Sequence, residues 1–356
     1  MKTSFGHRLL RCLPGAFAIL ILCAVCLASA WLPGSANAEI YRWKDAQGIW
    51  HFTEGPSRHV QSQTPGPDTA TPAAPAPSVE TPTAAATAPY STRPGLLWRI
   101  RVAGKQPSYL LGTIHSTDPR VTRLRPAVIA ALDGCDRFVM EMKMDTNAFM
   151  QFGTTMMLGP DKDLQSLIGG QLFDQVIQAM AAYGMPEPVV HQLKPWVVVA
   201  MLSMPKPSGG VILDLVLYQR AAGQGKPTSG LESAAEQLAV FEGLSLQDQI
   251  ELLKMTLKSL PSQQQMFEKL IEAYAADDLE RIAGIAQLNH EQSRSASARR
   301  FMTRLNDDRN RRMAQRIIPF LEQGNSFIAV GALHLAGPRG ILALLRQSGY
   351  DTEPVP

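Results

Sequence analysis

Ser326-Phe327-Ile328-Ala329-Val330-Gly331-Ala332-Leu333-His334 is an apolar run closed by a glycine, with a histidine three residues later. An earlier stretch repeats the pattern: Ser108-Tyr109-Leu110-Leu111 leads into Gly112-Thr113-Ile114-His115. Short apolar runs bounded by turn residues mark strands buried on both faces, as in sheets covered by helices. Open α/β sheets bind ligands beyond the carboxyl ends of their strands. A histidine delivered there twice is a candidate for metal ligation or proton transfer. The glycine three residues before each histidine allows a close backbone approach or a turn with positive φ.

Working outward, further strands are predicted at Trp98–Val102, Tyr109–Thr113, Arg137–Glu141, Pro227–Leu231 and Phe327–Gly331, with Tyr350–Val355 as an edge strand. Helical patterns fill the intervals. Ser233-x-x-Glu236 and Ser245-x-x-Asp248 read as capping boxes or near relatives, and long amphipathic stretches follow at Leu246–Leu260, Gln263–Ala275 and Arg299–Phe320. Asp145 to Met204 reads as helical throughout. The expected class is α/β with α+β character: a central mixed, largely parallel sheet flanked by helices, with a helical insertion.

The N-terminal part reads differently. Lys2, Arg8 and Arg11 precede an apolar Leu13–Leu32 run, and Ala36-Asn37-Ala38 supplies small residues for cleavage, so 1–38 reads as a secretory signal peptide. An uncleaved membrane anchor is the alternative. Residues 39–54 carry two aromatic-rich runs around Asp45-Ala46-Gln47-Gly48, a small β-hairpin module. Residues 55–94 are a linker rich in Pro, Ala, Thr and Ser that cannot bury enough surface to order itself. Residues 95–356 have globular composition and suffice for one substantial core.

Without the signal, 31 basic and 31 acidic residues remain, so no electrostatic argument for a nucleic-acid partner survives. Cys12, Cys23 and Cys26 leave with it. Cys135 is then the sole mature cysteine and reads as a buried structural thiol, with no internal disulfide.

Four strand candidates end in ionisable groups: His115, Glu141, Glu232 and His334. Two imidazoles with one or two carboxylates suit Zn, Mn, Co or Fe. Plainer roles stand beside this one. Glu141 could pair with an arginine, and Glu232 could stabilise the start of the following helix through its dipole. No H-E-x-x-H spacing occurs to decide the matter.

The domain resembles the TraB/GumN family, which includes the metal-dependent Tiki proteases. The residues that carry the resemblance are Leu110-Leu111-Gly112-Thr113-Ile114-His115, Phe138-Val139-Met140-Glu141, Lys194-Pro195-Trp196, Asp214-x-x-Leu217 and Lys226-Pro227-x-x-Gly230-Leu231-Glu232. Arg309-Asn310-x-x-Met313 and Val330-Gly331-Ala332-x-His334-Leu335-x-Gly337-x-x-Gly340 complete the series. The resemblance implies a fold shared with haem-binding ChaN-like proteins and erythromycin esterases. It implies His115, Glu141 and His334 as metal ligands, with Glu232 and Arg309 as second-tier members of the catalytic set. The segment before Asp214 reads Ser-Gly-Gly-Val-Ile-Leu-Asp where family members typically show Gly-Val-Asp, so Asp214 is left out. Residues 39–54 resemble a small module of unknown function found after the signal peptide of secreted bacterial proteins.

Ten of the fifteen methionines fall between Met140 and Met204, read as adaptable packing rather than copper or haem ligation. Most of the arginines from Arg299 to Arg316 alternate with apolar positions at helical spacing and form a solvated face; Arg309 and Asn310, which sit in the matching motif, are the exceptions. His191 and Trp196 read as packing residues. The expected function is an exported metal-dependent hydrolase or peptidase using a divalent Mn, Co or Zn ion on a peptide or small-molecule substrate. In it Glu232 would act as general base or further ligand. The alternatives are a haem- or cofactor-binding envelope protein, or an interaction protein that contacts the cell envelope through its N-terminal module. The expected location is the periplasm or outside the cell.

Overall fold

The computed structural model describes residues 40–44, 50–54 and 95–356, apart from 144, 208 and 293–295, with side chains from 95 onward except 287–296. The predicted signal peptide, the turn of the hairpin and the linker lie outside the described residues. These divide into two compact units, one within Trp31–Pro89 and one within Tyr90–Pro356. In the first, strands β1 (Ile40–Lys44) and β2 (Trp50–Glu54) form the expected antiparallel hairpin, with Tyr41 opposite Thr53 and Trp43 opposite His51.

The larger unit is mixed α/β. Its strands are β3 (Leu97–Arg101), β4 (Ser108–Thr113), β5 (Arg137–Met142), β6 (Thr228–Glu232), β7 (Ser326–Gly331) and β8 (Asp351–Pro354). Each lies within two residues of its predicted position. They form one six-stranded sheet in the order β6-β5-β7-β4-β3-β8. The first four are mutually parallel, and β3 and β8 complete the sheet in antiparallel pairings.

Helices α1 (Pro126–Gly134), α2 (Thr146–Thr155), α3 (Pro195–Leu202), α4 (Leu213–Gly223), α5 (Ala234–Glu242), α6 (Leu246–Ala275), α7 (Arg309–Gln323) and α8 (Ala332–Leu335) are the ones that shape the site. One core surrounds the sheet and includes Ile100, Leu110, Phe138, Val139, Phe327, Ile328 and Val330. Each such side chain contributes about 2–3 kcal/mol by leaving water. A second core fills the helical insertion, where all eight residues of α3 are buried. Met142, Met156, Met180 and Met201 pack there, as expected of adaptable apolar side chains. Trp196 stacks on Phe241 with ring centroids 4.9 Å apart, and His191 lies against Phe173. Both are packing residues.

Two helical expectations change. Leu246–Leu260 and Gln263–Ala275 join as α6, with Pro261 inside, because the buried face from Leu252 through Gln263 and Met266 to Ala273 continues across the proline. The predicted Arg299–Phe320 helix is instead Ala296–Met302, a π-helical turn at Thr303–Asp308, and α7. Hydrophobic spacing alone does not report such a turn.

Register explains why the strand ends matter. Thr113 of β4 lies opposite Gly331 of β7, Met140 of β5 opposite Ala329, and Met142 opposite Glu232 of β6. The carboxyl ends of four parallel strands therefore share one edge. Gly112 serves close approach rather than positive φ: a Cβ there would lie 2.9 Å from Leu335 Cδ1 and 3.0 Å from Ala332 Cα. Its bare backbone lets α8 settle against β4.

Candidate functional site

Glu141 is the penultimate residue of β5, and its side chain is almost wholly buried. Its Oε1 accepts the Gly331 N–H at 2.6 Å, and its Oε2 accepts from Arg309 Nη2 at 2.7 Å. Gly331 is tight as well, since a Cβ there would lie 3.2 Å from Glu141 Oε1. Both glycines of the repeated pattern thus serve close contact.

His334 sits on the single turn of α8 after β7 and is 4% exposed. Its Nδ1 lies 2.6 Å from Asn310 Oδ1, while Asn310 Nδ2 donates to the Arg339 carbonyl at 2.9 Å. That carbonyl fixes the amide's orientation, so Nδ1 carries the ring proton. Nε2 is then the lone-pair nitrogen, 3.6 Å from Glu141 Oε1. Burial, with Arg309 and His115 adding to it, lowers the His334 pKa to about 4 against the opposing pull of Glu141 and Glu232. The ring is neutral at pH 7. Burial also opposes ionisation of Glu141, but the His334 ring, the Arg309 guanidinium and the Gly331 N–H outweigh it and hold the carboxyl below its usual range. With His334 neutral, Arg309 and the N–H carry most of that effect.

His115 lies two residues beyond β4, its Nδ1 2.9 Å from Asp214 Oδ2. Asp214 Oδ1 accepts from the Thr113 hydroxyl at 2.8 Å. His115 couples electrostatically to both Glu141 and His334, which puts it in the same neighbourhood. Asp214, set aside in the sequence, is therefore in direct contact with a site histidine. The available signal was the Asp214-x-x-Leu217 match itself.

Arg309 follows the π-helical turn and is 4% exposed. Its Nε and Nη2 bond Glu232 Oε2 at 2.8 and 2.7 Å, while Nη2 also reaches Glu141. Arg312 holds the other oxygen of Glu232, through Nε at 3.1 Å and through Nη2. Two buried carboxylates thus meet two guanidinium groups in a balanced network. Glu232, expected as general base or ligand, has each oxygen held by an arginine. The helix after it is capped instead by Ser233 and Glu236 in a full capping box. The plainer reading of Glu141, an arginine partner, also holds, with Arg309 as that partner.

Among the described residues, no group of three or more His, Cys, Asp or Glu side chains is placed to hold a metal ion. The donor chemistry nevertheless suits a divalent ion. Two atoms each about 2.1 Å from one ion, at a tetrahedral angle, lie about 3.4 Å apart. His334 Nε2 and Glu141 Oε1 are 3.6 Å apart. His334 also has its Nδ1 on an oxygen acceptor, the outer support typical of metal-bound imidazoles, whereas His115 Nδ1 approaches Asp214 Oδ2 without a hydrogen bond.

The two shifted groups set a pH dependence. His334 falls from 6.5 to about 4 and Glu141 also falls, so the folded state binds protons more weakly than the unfolded chain. Stability should be intact above pH 6.5 and decline as pH falls toward 4, by about 3 kcal/mol for the His334 shift alone. Urea melts between pH 7.5 and 4.5 check this. His334→Asn should flatten the profile, and an unchanged slope in that variant would contradict the assignment.

A profile of the TraB/PrgY/gumN family matches residues 96–354. A profile of a domain of unknown function (DUF4124) matches residues 27–89. Metalloprotease TIKI1 of Danio rerio is 25% identical over 329 residues, covering 75% of this chain and 64% of the relative. Metalloprotease TIKI2 of Danio rerio is 32% identical over 171 residues, covering 42% of this chain and 33% of the relative. Metalloprotease TIKI2 of Xenopus tropicalis is 26% identical over 322 residues, covering 73% and 60%. The chain thus spans less than two thirds of these relatives' lengths. No solved structure matches it. The chain belongs to the TraB/PrgY/gumN family.

Proposed function

We propose that this member of the TraB/PrgY/gumN family is an exported metal-dependent hydrolase of peptide bonds, with a divalent Mn, Co or Zn ion held by His334, Glu141 and His115. The observation that carries the proposal is the His334–Glu141 pair: a neutral imidazole with its lone pair toward an ionised carboxylate, 3.6 Å away. The peptide substrate is supported by the printed names of the metalloprotease relatives. When bound, the ion would polarise a substrate carbonyl and lower the pKa of a water molecule.

The chain's own residues prepare that chemistry. Asn310 keeps the ring proton of His334 on Nδ1. Arg309 keeps Glu141 charged in a buried place, and Glu232 with Arg312 holds Arg309 still. Burial of this network limits competing water, so its hydrogen bonds are stronger than they would be in solution.

Export is supported by the signal-like 1–38 and by the module that follows it. Among the described residues no helix is long and apolar enough to cross a membrane. The test is a peptide-library digest with the purified protein, read by mass spectrometry, before and after a chelator. Cleavage should vanish on chelation and return with Mn, Co or Zn. Metal uptake without cleavage of any peptide would overturn the hydrolase reading in favour of a binding protein.

A further inference from the structure

We infer that the outer edge of β6 is the docking strand for the peptide substrate, which pairs with it in extended form by main-chain hydrogen bonds and runs from there toward Glu141. The inference rests on the reading above that the substrate is a peptide, and deepens it.

The ladder fixes which groups of β6 face outward. β6 lies at one edge of the sheet and pairs with β5 alone. Phe138 of β5 donates its N–H to the Pro227 carbonyl at 3.0 Å, while Phe138 lies opposite Thr228 and Met140 opposite Gly230. Along a strand in a parallel pair, alternate residues turn their backbone groups toward the neighbour. Ser229 and Leu231 therefore face β5 with Pro227, whereas Thr228 and Gly230 present their N–H and C=O groups to the open side. Gly230 is exposed there.

The two edges of the sheet are not protected alike. Natural edge strands are blunted by charges, prolines or a covering element. At the far edge, β8 carries Asp351, Glu353 and Pro354. β6 reads Thr-Ser-Gly-Leu-Glu, and its one charge, Glu232, is turned inward onto Arg309 and Arg312. Pro227 stands before the strand rather than in it, and Lys226 is tied to the carbonyls of Asp133 and Cys135. The unguarded edge is the one whose carboxyl end meets the candidate site.

A cleft of about 570 Å³ lies at this edge, lined on one side by Gly230 and Leu231 and on the other by Lys143, Asp145 and Gln151. Gly230 lets the two sides approach, since a Cβ there would lie 2.8 Å from the Lys143 backbone nitrogen. Charges around the cleft are largely engaged within the protein. Asp145 accepts the Ala148 N–H at the start of α2, and Glu236 pairs with Arg316. Lys143 adds a single cation, so side-chain charge does little to select a ligand. An open strand edge instead offers main-chain groups that a peptide of any sequence can meet. An added strand would lie about 4.8 Å from β6, with Glu141 on β5 one further strand spacing inward.

The test follows backbone amide exchange of Thr228 and Gly230 by NMR in the full chain, with a random-sequence dodecapeptide pool as probe. A matched pool with every backbone nitrogen methylated keeps the side chains but cannot pair as a strand. The unmodified pool at millimolar concentration should slow exchange of both amides by about tenfold or more, and the methylated pool should leave it unchanged. Thr228→Pro adds a second arm, because its N–H faces outward and proline there removes no ladder bond. This variant should melt near wild type in urea and lose the protection of Gly230. For any peptide that the library digest shows to be cleaved, it should raise KM more than it lowers kcat. If the variant does not fold, the two pools still decide. Equal protection by both pools, or by neither, would overturn the inference. So would protection already present without peptide that falls on dilution, which would make the edge a contact between two copies of the chain. Protection by the unmodified pool alone, with no peptide cleaved, would keep the docking strand while the hydrolase reading fails.

Discussion

Arg309→Met should destabilise the domain by about 3–5 kcal/mol, a large share of the 5–15 kcal/mol that holds a typical protein folded. Arg309 is 4% exposed and spans two carboxylates that are themselves buried, Glu141 and Glu232. Methionine fills similar space but leaves both without their shared cation. Glu232 still has Arg312, so the burden falls on Glu141, which loses its guanidinium partner and keeps the Gly331 N–H against its burial. Urea melts at pH 7 measure the loss. Adding Glu141→Gln should recover part of it, since the penalty lies in an unpaired buried charge rather than in lost packing. A drop below about 1 kcal/mol would mean that the network is not the electrostatic support of the site.

His334→Ala should reduce kcat/KM for peptide cleavage on the order of a thousandfold. A Lewis acid contributes several kcal/mol to the transition state, and removing a ligand from a small set empties the site. The cost to folding should be far smaller, about 1–2 kcal/mol, for one hydrogen bond to Asn310 and a modest cavity. Glu141→Gln should lose cleavage similarly while keeping its shape. The separation of the two readouts is what matters. A variant that melts near wild type and cleaves nothing places the defect in chemistry. Retention of a tenth or more of wild-type cleavage by His334→Ala would remove the ring from any catalytic role.

The sheet was legible because its strands are written as continuous apolar runs. Leu110-Leu111, Phe138-Val139 and Phe327 to Val330 announce buried parallel strands without any alternation to misread. Strand order was not legible. The late strand β7 lies between β5 and β4, and local sequence carries no mark of which distant strand it will pair with. That insertion brings His334 beside Glu141. His115, Glu141, Arg309 and His334 were visible as residues, but their division of labour was not. Glu232 and Glu141 both sit at strand ends and both meet Arg309; Arg312 on the second oxygen of Glu232, and the 3.6 Å approach of His334 to Glu141, distinguish them. Arg312 was hidden within a run of arginines that otherwise reads as a solvated face. Asp214 was discounted because the residues before it break the family pattern, although the fold brings its carboxylate within 2.9 Å of His115.

The central claim is that His115, Glu141 and His334 serve one ion. Elemental analysis of metal bound per chain, for wild type and for His115→Ala/His334→Ala purified alike, tests it most directly. The claim predicts about one Mn, Co or Zn per wild-type chain and none in the double variant, with both proteins folded at pH 7. A double variant that retains a full equivalent of metal would contradict it.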